Sequence, residues 1–168
     1  QLVPAVATDS NGFFVVVWNG AGLTDSTGVF GQRFNPAGST VGSEFRINSY
    51  TPSSQQEAAV AADGLGNFVV VWASSSQDGS NFGVFGQRFD SVGTAFGGEF
   101  QVNTFTQGIQ ELGSVSMAND GSFVVSWSGS SLDPDELKDI YARRFSSSGV
   151  AQGNEFRVNT YTTSIQTD

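Results

Sequence analysis

The sequence predicts an all-β fold of three four-stranded antiparallel units, and three observations lead there. Sequence blocks recur in one fixed order at a spacing of 54 to 56 residues. Each block is a strand-length run rich in Val, Phe, Ile and Trp, residues that suit a pleated surface. Clusters of Asp, Asn, Ser and Gly stand between the blocks and have the chemistry of tight turns. No segment carries a convincing helical period; at most residues 134–139 could make one turn.

The first strand of each unit is short and small: Ala5-Val6-Ala7, Ala59-Val60-Ala61 and Ser114-Val115-Ser116. Hairpin turns follow at residues 9–12, 63–66 and 119–121, each ending in Gly. The second strand is the most regular, reading GFFVVVW over residues 12–18, GNFVVVW over 66–72 and GSFVVSW over 121–127. Loops of differing length, residues 19–27, 73–82 and 128–138, lead to the third strand. That strand reads GVFGQRF at residues 28–34 and 83–89, and DIYARRF at 139–145. Four-residue turns, Asn35 to Gly38, Asp90 to Gly93 and Ser146 to Gly149, return the chain to a fourth strand. The fourth strand holds EFRIN (44–48), EFQVN (99–103) or EFRVN (155–159). The chain thus divides into repeats 1–54, 55–109 and 110–165 of a single repeat domain.

Two architectures use four strands per repeat, the β-propeller blade and the β-trefoil unit. Three repeats in one chain suit a trefoil, but the side-chain pattern does not. Phe14, Val16 and Trp18 share one face of the second strand while Val15 and Val17 occupy the other, so both faces are apolar. A strand sandwiched between layers has this pattern, and the small first strand suits the crowded centre of a propeller. Three propeller blades are therefore expected, with the trefoil as the alternative. Propellers usually close with about four to eight blades, so three blades leave two apolar faces to cover. The expected partners are a second copy of the chain, closing a six-bladed ring or extending an array, or neighbouring repeats of a longer chain.

Composition narrows the chemistry. A net charge of −9 disfavours contact with phosphate backbones and anionic lipid, so no nucleic-acid partner is expected. No apolar run approaches the roughly 20 residues of a membrane-spanning helix, so no membrane insertion is expected; no secretory leader is visible. With no Cys and no His, disulfides, thiolate metal sites and a Ser-His-Asp triad are all out of reach.

Residues repeated at equivalent positions are the candidate sites. Arg33, Arg88 and Arg144 on the third strand and Glu44, Glu99 and Glu155 on the fourth could hold one anion or sugar per repeat, or could bridge to one another as structure. Tyr50, Phe105 and Tyr161 follow the fourth strand among polar neighbours and could serve as sugar platforms, or as plugs between units. Trp18, Trp72 and Trp127 read as core. Asp133, Asp135, Glu136 and Asp139 in the third long loop offer hard oxygen ligands for calcium, although their spacing matches no EF-hand loop. Calcium is the single cofactor suggested.

The run D-x-x-G-x-F-V-V-V-W, then G-V-F-G-Q-R-F, then G-x-E-F-x-V-N resembles repeats that occur in tandem in large secreted or surface bacterial proteins. Such repeats often accompany adhesin or calcium-binding modules. The third unit departs from the pattern at Ile140 to Arg143 and at Ser126. The resemblance implies an extracellular or cell-surface location and a self-associating structural or adhesive role. A multivalent carbohydrate-binding lectin is the alternative, and a glycosidase the second alternative, since that chemistry needs only two carboxylates. No carboxylate stands in a recognisable catalytic motif, so the expectation is that the chain is not an enzyme.

Overall fold

A computed structural model describes residues 2–21, 27–130 and 138–160. Strands β1 (Leu2–Thr8), β2 (Phe14–Gly20), β3 (Gly28–Phe34) and β4 (Thr40–Arg46) form the first sheet. The second contains β5 (Gln55–Ala62), β6 (Phe68–Ser75), β7 (Phe82–Phe89) and β8 (Phe100–Gln101), and the third β9 (Gln110–Met117), β10 (Phe123–Gly129), β11 (Asp139–Phe145) and β12 (Phe156–Arg157). Within each sheet every strand pairs antiparallel with the next in chain order. No helix occurs among the described residues. The first strands are longer than the sequence suggests. Each continues past an irregularity in register, between Leu2 and Ala5 in β1 and between Gln56 and Ala59 in β5.

The turns are stapled by their first side chain. Asp9 Oδ1 accepts from the amides of Asn11 and Phe13, and Asp63 Oδ1 from those of Leu65 and Asn67. Asn35 and Asp90 do the same for the turns between the third and fourth strands. Gly12, Gly66 and Gly121 close the first hairpin of each sheet at φ of 82°, 86° and 81°, a region where a Cβ is strained.

The three sheets stack in a row. Each has a tryptophan face, which in the second sheet carries Phe68, Val70 and Trp72. Each also has a small-residue face, which there carries Val69, Val71 and Val84. The small-residue face of the first sheet (Val15, Val17, Val29, Ile47) packs on the tryptophan face of the second. The second sheet's small-residue face meets Phe123, Val125 and Trp127 of the third in the same way. At both joints a Phe from the fourth strand wedges against a stacked pair of the next sheet. Phe45 lies 6.5 Å and 5.7 Å from Phe68 and Phe89, and Phe100 lies 6.0 Å and 5.4 Å from Phe123 and Phe145.

The first strands line the inner edge, β1 against β5 and β5 against β9. Their turns meet at one end, where the Ser10 hydroxyl donates to the Gly64 carbonyl at 2.5 Å. A Cβ on Gly64 would stand 3.3 Å from Asn119 Oδ1. The inner strands therefore run the same way, and their starts share the opposite end. The row does not close into a ring. Separate four-stranded sheets in simple chain order are not a trefoil, so that alternative falls.

Candidate functional site

Among the described residues the repeated Arg and Glu do not bridge to each other; Arg33, Arg88, Glu99 and Glu155 reach into the neighbouring sheet instead. Arg33 donates from Nη1 to the Val92 carbonyl (2.7 Å) and from Nη2 to the Ser91 carbonyl (2.5 Å), gripping the turn between β7 and β8. Arg88 lies the same way over the turn between β11 and β12, so close that a Cβ on Gly149 would be 2.5 Å from its Nη1. Burial lowers the pKa of Arg88, and its guanidinium sits 4.8 Å from the Phe96 ring centre. Glutamate reaches back in the other direction. Glu99 accepts from the Ser49 amide (2.7 Å) and hydroxyl (2.8 Å), and Glu155 from the amides of Thr104 (2.6 Å) and Phe105 (3.1 Å). Glu44 and Arg144, at the two ends of the row, are exposed.

The joint between the second and third sheets holds a small nook lined by Phe105, Gln110, Trp127, Ser130, Tyr141 and Glu155. It brings together two residues singled out by the sequence, Phe105 and Glu155. Trp127 and Tyr141 form one wall, their rings 6.2 Å apart and 25° from parallel. Gln110 is 1% exposed. Its amide nitrogen donates to the Gln107 carbonyl at 2.9 Å, but its carbonyl oxygen has no partner among the described residues. At the equivalent place in the first joint, Gln55 Oε1 receives Asn48 Nδ2 at 3.2 Å, and Gln77 donates to Glu99. The second joint thus keeps a buried acceptor facing aromatic walls, an arrangement that takes a hydroxyl donor.

Tyr50 is half-buried in the crossing after β4, with its backbone carbonyl accepting from Asn48 Nδ2. Tyr161, Asp133, Asp135 and Glu136 lie outside the described residues. Asp139 is 2% exposed and receives Asn159 Nδ2 at 2.7 Å and Arg157 Nη1 at 3.4 Å, so it is engaged within the third sheet. Among the described residues no cluster of three or more metal-ligating side chains occurs.

Sequence reasoning passed over the Asn that ends each fourth-strand block. Asn48, Asn103 and Asn159 each accept the first free amide of the third strand, from Val29, Val84 and Ile140, all at 2.8 Å. Their recurrence in all three blocks was the available signal. It also passed over two carboxylates at the start of inner strands. Glu57 sits on the bulge of β5 at φ 58°, and Glu111 on β9 pairs with Lys138. A side chain held at positive φ stores local strain, though Val3 on β1 has a similar φ of 49°, so the bulge itself belongs to the fold.

The chain is similar to the endo-arabinase from Bacteroides thetaiotaomicron VPI-5482, with a TM-score of 0.61 and 13% identity, over 96% of this chain and 61% of that one. It is also similar to a GH43 endo-arabinanase from Bacillus licheniformis, with a TM-score of 0.55 and 13% identity, over 94% of this chain and 59% of that one. These neighbours are five-bladed β-propellers. The likeness is one of fold, and it supports the propeller class for these four-stranded sheets. The chain spans about three fifths of the length of the structures it matches. No protein-family model and no curated protein matches the sequence.

This finding corrects the expectation that the chain is not an enzyme, because the solved neighbours are glycoside hydrolases. Lack of His and of a linear motif excludes a Ser-His-Asp triad. It does not exclude a chemistry that needs only two carboxylates brought together in space.

Proposed function

We propose that the chain forms three consecutive blades of a glycan-directed propeller of glycosidase type. The observation that carries this reading is the alignment of nearly the whole chain with endo-arabinases, at about three fifths of their length. Such a site would lie along the axis, where the inner strands meet. Glu57 and Glu111, at the shared end of adjacent inner strands, are the carboxylates positioned for it. Paired carboxylates about 5–5.5 Å apart retain the anomeric configuration, and pairs about 6.5–9.5 Å apart invert it. The Gln110 nook, an unpartnered acceptor beside Trp127 and Tyr141, supports sugar contact at the same end. The acidic charge and the likeness to secreted repeat arrays support a place outside the cell.

The test combines a glycan array with reducing-end release from arabinan and a panel of other polysaccharides. Binding is expected, with release abolished in Glu57→Gln and Glu111→Gln while binding persists. Binding without release in the parent chain leaves the multivalent lectin, the reading that the Gln110 nook favours. Failure to bind any glycan overturns the proposal.

A further inference from the structure

The two open faces of the row carry the two halves of the joint that the chain already makes twice. The first half is aromatic. Each internal joint sets a fourth-strand Phe against a stacked Phe pair of the next sheet. The first sheet has that pair, Phe14 and Phe34, at 4.9 Å and 10°, and among the described residues no fourth-strand ring packs on it. The third sheet has the fourth-strand ring, Phe156, 49% exposed. Beside these, Val6 is 63% exposed where its equivalents Val60 and Val115 pack at the joints.

The polar clamps split the same way. Arg33 covers Gly93 and Arg88 covers Gly149, so an added Cβ would stand 3.1 Å and 2.5 Å from the two side chains. At the equivalent Gly38 of the first sheet nothing lies within 4 Å, while Arg144 of the third is exposed with no side-chain bond among the described residues. Glu99 and Glu155 hold the amides after the preceding fourth strand. Among the described residues Glu44 holds none, and Thr160, the residue equivalent to Ser49 and Thr104, is exposed. Every feature missing on one face is present on the other.

We propose that a second copy of this chain covers these faces head to tail, its third sheet against the first sheet of its neighbour. Phe156 packs against the stacked Phe14–Phe34 pair, as Phe45 and Phe100 do at the internal joints. Arg144 grips the Pro36 and Ala37 carbonyls over Gly38, and Glu44 accepts from the Thr160 amide. The contact is heterologous, so it closes as a two-copy, six-bladed ring if the rotation per joint permits, and otherwise runs on as an array. It stands whether or not the chain handles glycans.

The test uses sedimentation and light scattering across protein concentration. Concentration-dependent association of the parent chain is expected. Val6→Glu spoils one face and Phe156→Glu the other, both at exposed positions, and unchanged far-UV dichroism and melting confirm that each variant folds. Each variant alone should dissociate at least about tenfold more readily, as loss of a central apolar contact does. An equimolar mixture should restore a one-to-one complex, because the variants still share one intact pair of faces. A parent chain that stays monomeric up to high concentration overturns the proposal. So does a mixture that fails to pair.

Discussion

Phe100 and Phe156 occupy the same position in successive repeats and are the same residue, so they isolate what the stacking of sheets contributes. Phe100 is half-buried against Phe123 and Phe145. Its ring lies over Gly86 so tightly that a Cβ there would be 2.8 Å from its Cζ. Full burial of a Phe side chain stabilises by about 1.5–3 kcal/mol, so half-burial gives about 0.8–1.5. Two tilted ring contacts add about 0.5–1.5 kcal/mol each. Phe100→Ala should therefore cost about 2–4 kcal/mol, just below the range for fully buried Phe→Ala changes. Among the described residues Phe156 meets no next sheet, and Phe156→Ala in the dilute, unassociated chain should stay within about 0.5 kcal/mol. At about 2–4 °C per kcal/mol for a chain of this size, the first change should lower Tm by about 5–15 °C and the second by at most about 2 °C. Thermal and urea unfolding followed by tryptophan fluorescence reads both. Equal losses at the two sites would refute the argument that face-to-face stacking, rather than packing within each sheet, supplies this part of the stability.

Other expectations follow from single contacts. Arg33→Ala removes two hydrogen bonds to carbonyls of the next sheet and should cost about 1–2 kcal/mol; Arg33→Lys should recover only part of it, since an ammonium lacks the planar fork that spans both oxygens. Asn103→Ala strands the buried Val84 amide, which should cost about 1–3 kcal/mol and speed hydrogen exchange at Val84. Asp120 has a carboxyl pKa held below the usual value, chiefly by the Ser122 hydroxyl and then by the Ser122 amide. Its folded pKa being the lower one, its contribution to stability is full above the ordinary aspartate range and is lost as pH falls through the depressed value. Ser122→Ala should move that titration upward in an NMR pH series, and an unmoved titration would show that the hydroxyl is not its cause.

The period, the strand order and the two apolar faces of the second strand were legible because each is a local property of sequence. Val69 and Val71 alternate with Phe68, Val70 and Trp72, and that alternation alone requires a layer on each side. The destination of the charged side chains was not legible. Arg33 and Glu44 belong to one repeat and paired strands, so pairing between them was a natural expectation. Their reach is decided by the offset between sheets, which puts the Ser91 and Val92 carbonyls under Arg33 and sends Glu99 back to Ser49. The Gln110 acceptor was equally hidden. Gln55 and Gln110 occupy matching positions beside matching asparagines, yet Asn48 Nδ2 reaches Gln55 while Asn103 Nδ2 donates to the Phe105 carbonyl and not to Gln110. The inner-strand carboxylates Glu57 and Glu111 escaped notice because they lie one position out of register between repeats, so a search for repeated residues passes them by.

Three of the third unit's departures from the repeat fall on one face. Ser114, Ser116 and Ser126 stand where the first unit has Ala5, Ala7 and Val17 and the second has Ala59, Ala61 and Val71. All three lie on the open small-residue face. The opposite face keeps Phe123, Val125, Trp127 and Phe145 against the second sheet. Hydroxyls buried without partners cost about 1–3 kcal/mol each, whereas on a wetted face they cost little. They also limit how firmly that face can hold a neighbour. A joint formed there keeps the Phe156 ring and the Arg144 clamp but replaces three apolar contacts with polar ones. It should be weaker and wetter than the two internal joints, and come apart on dilution while the three sheets of each chain stay together.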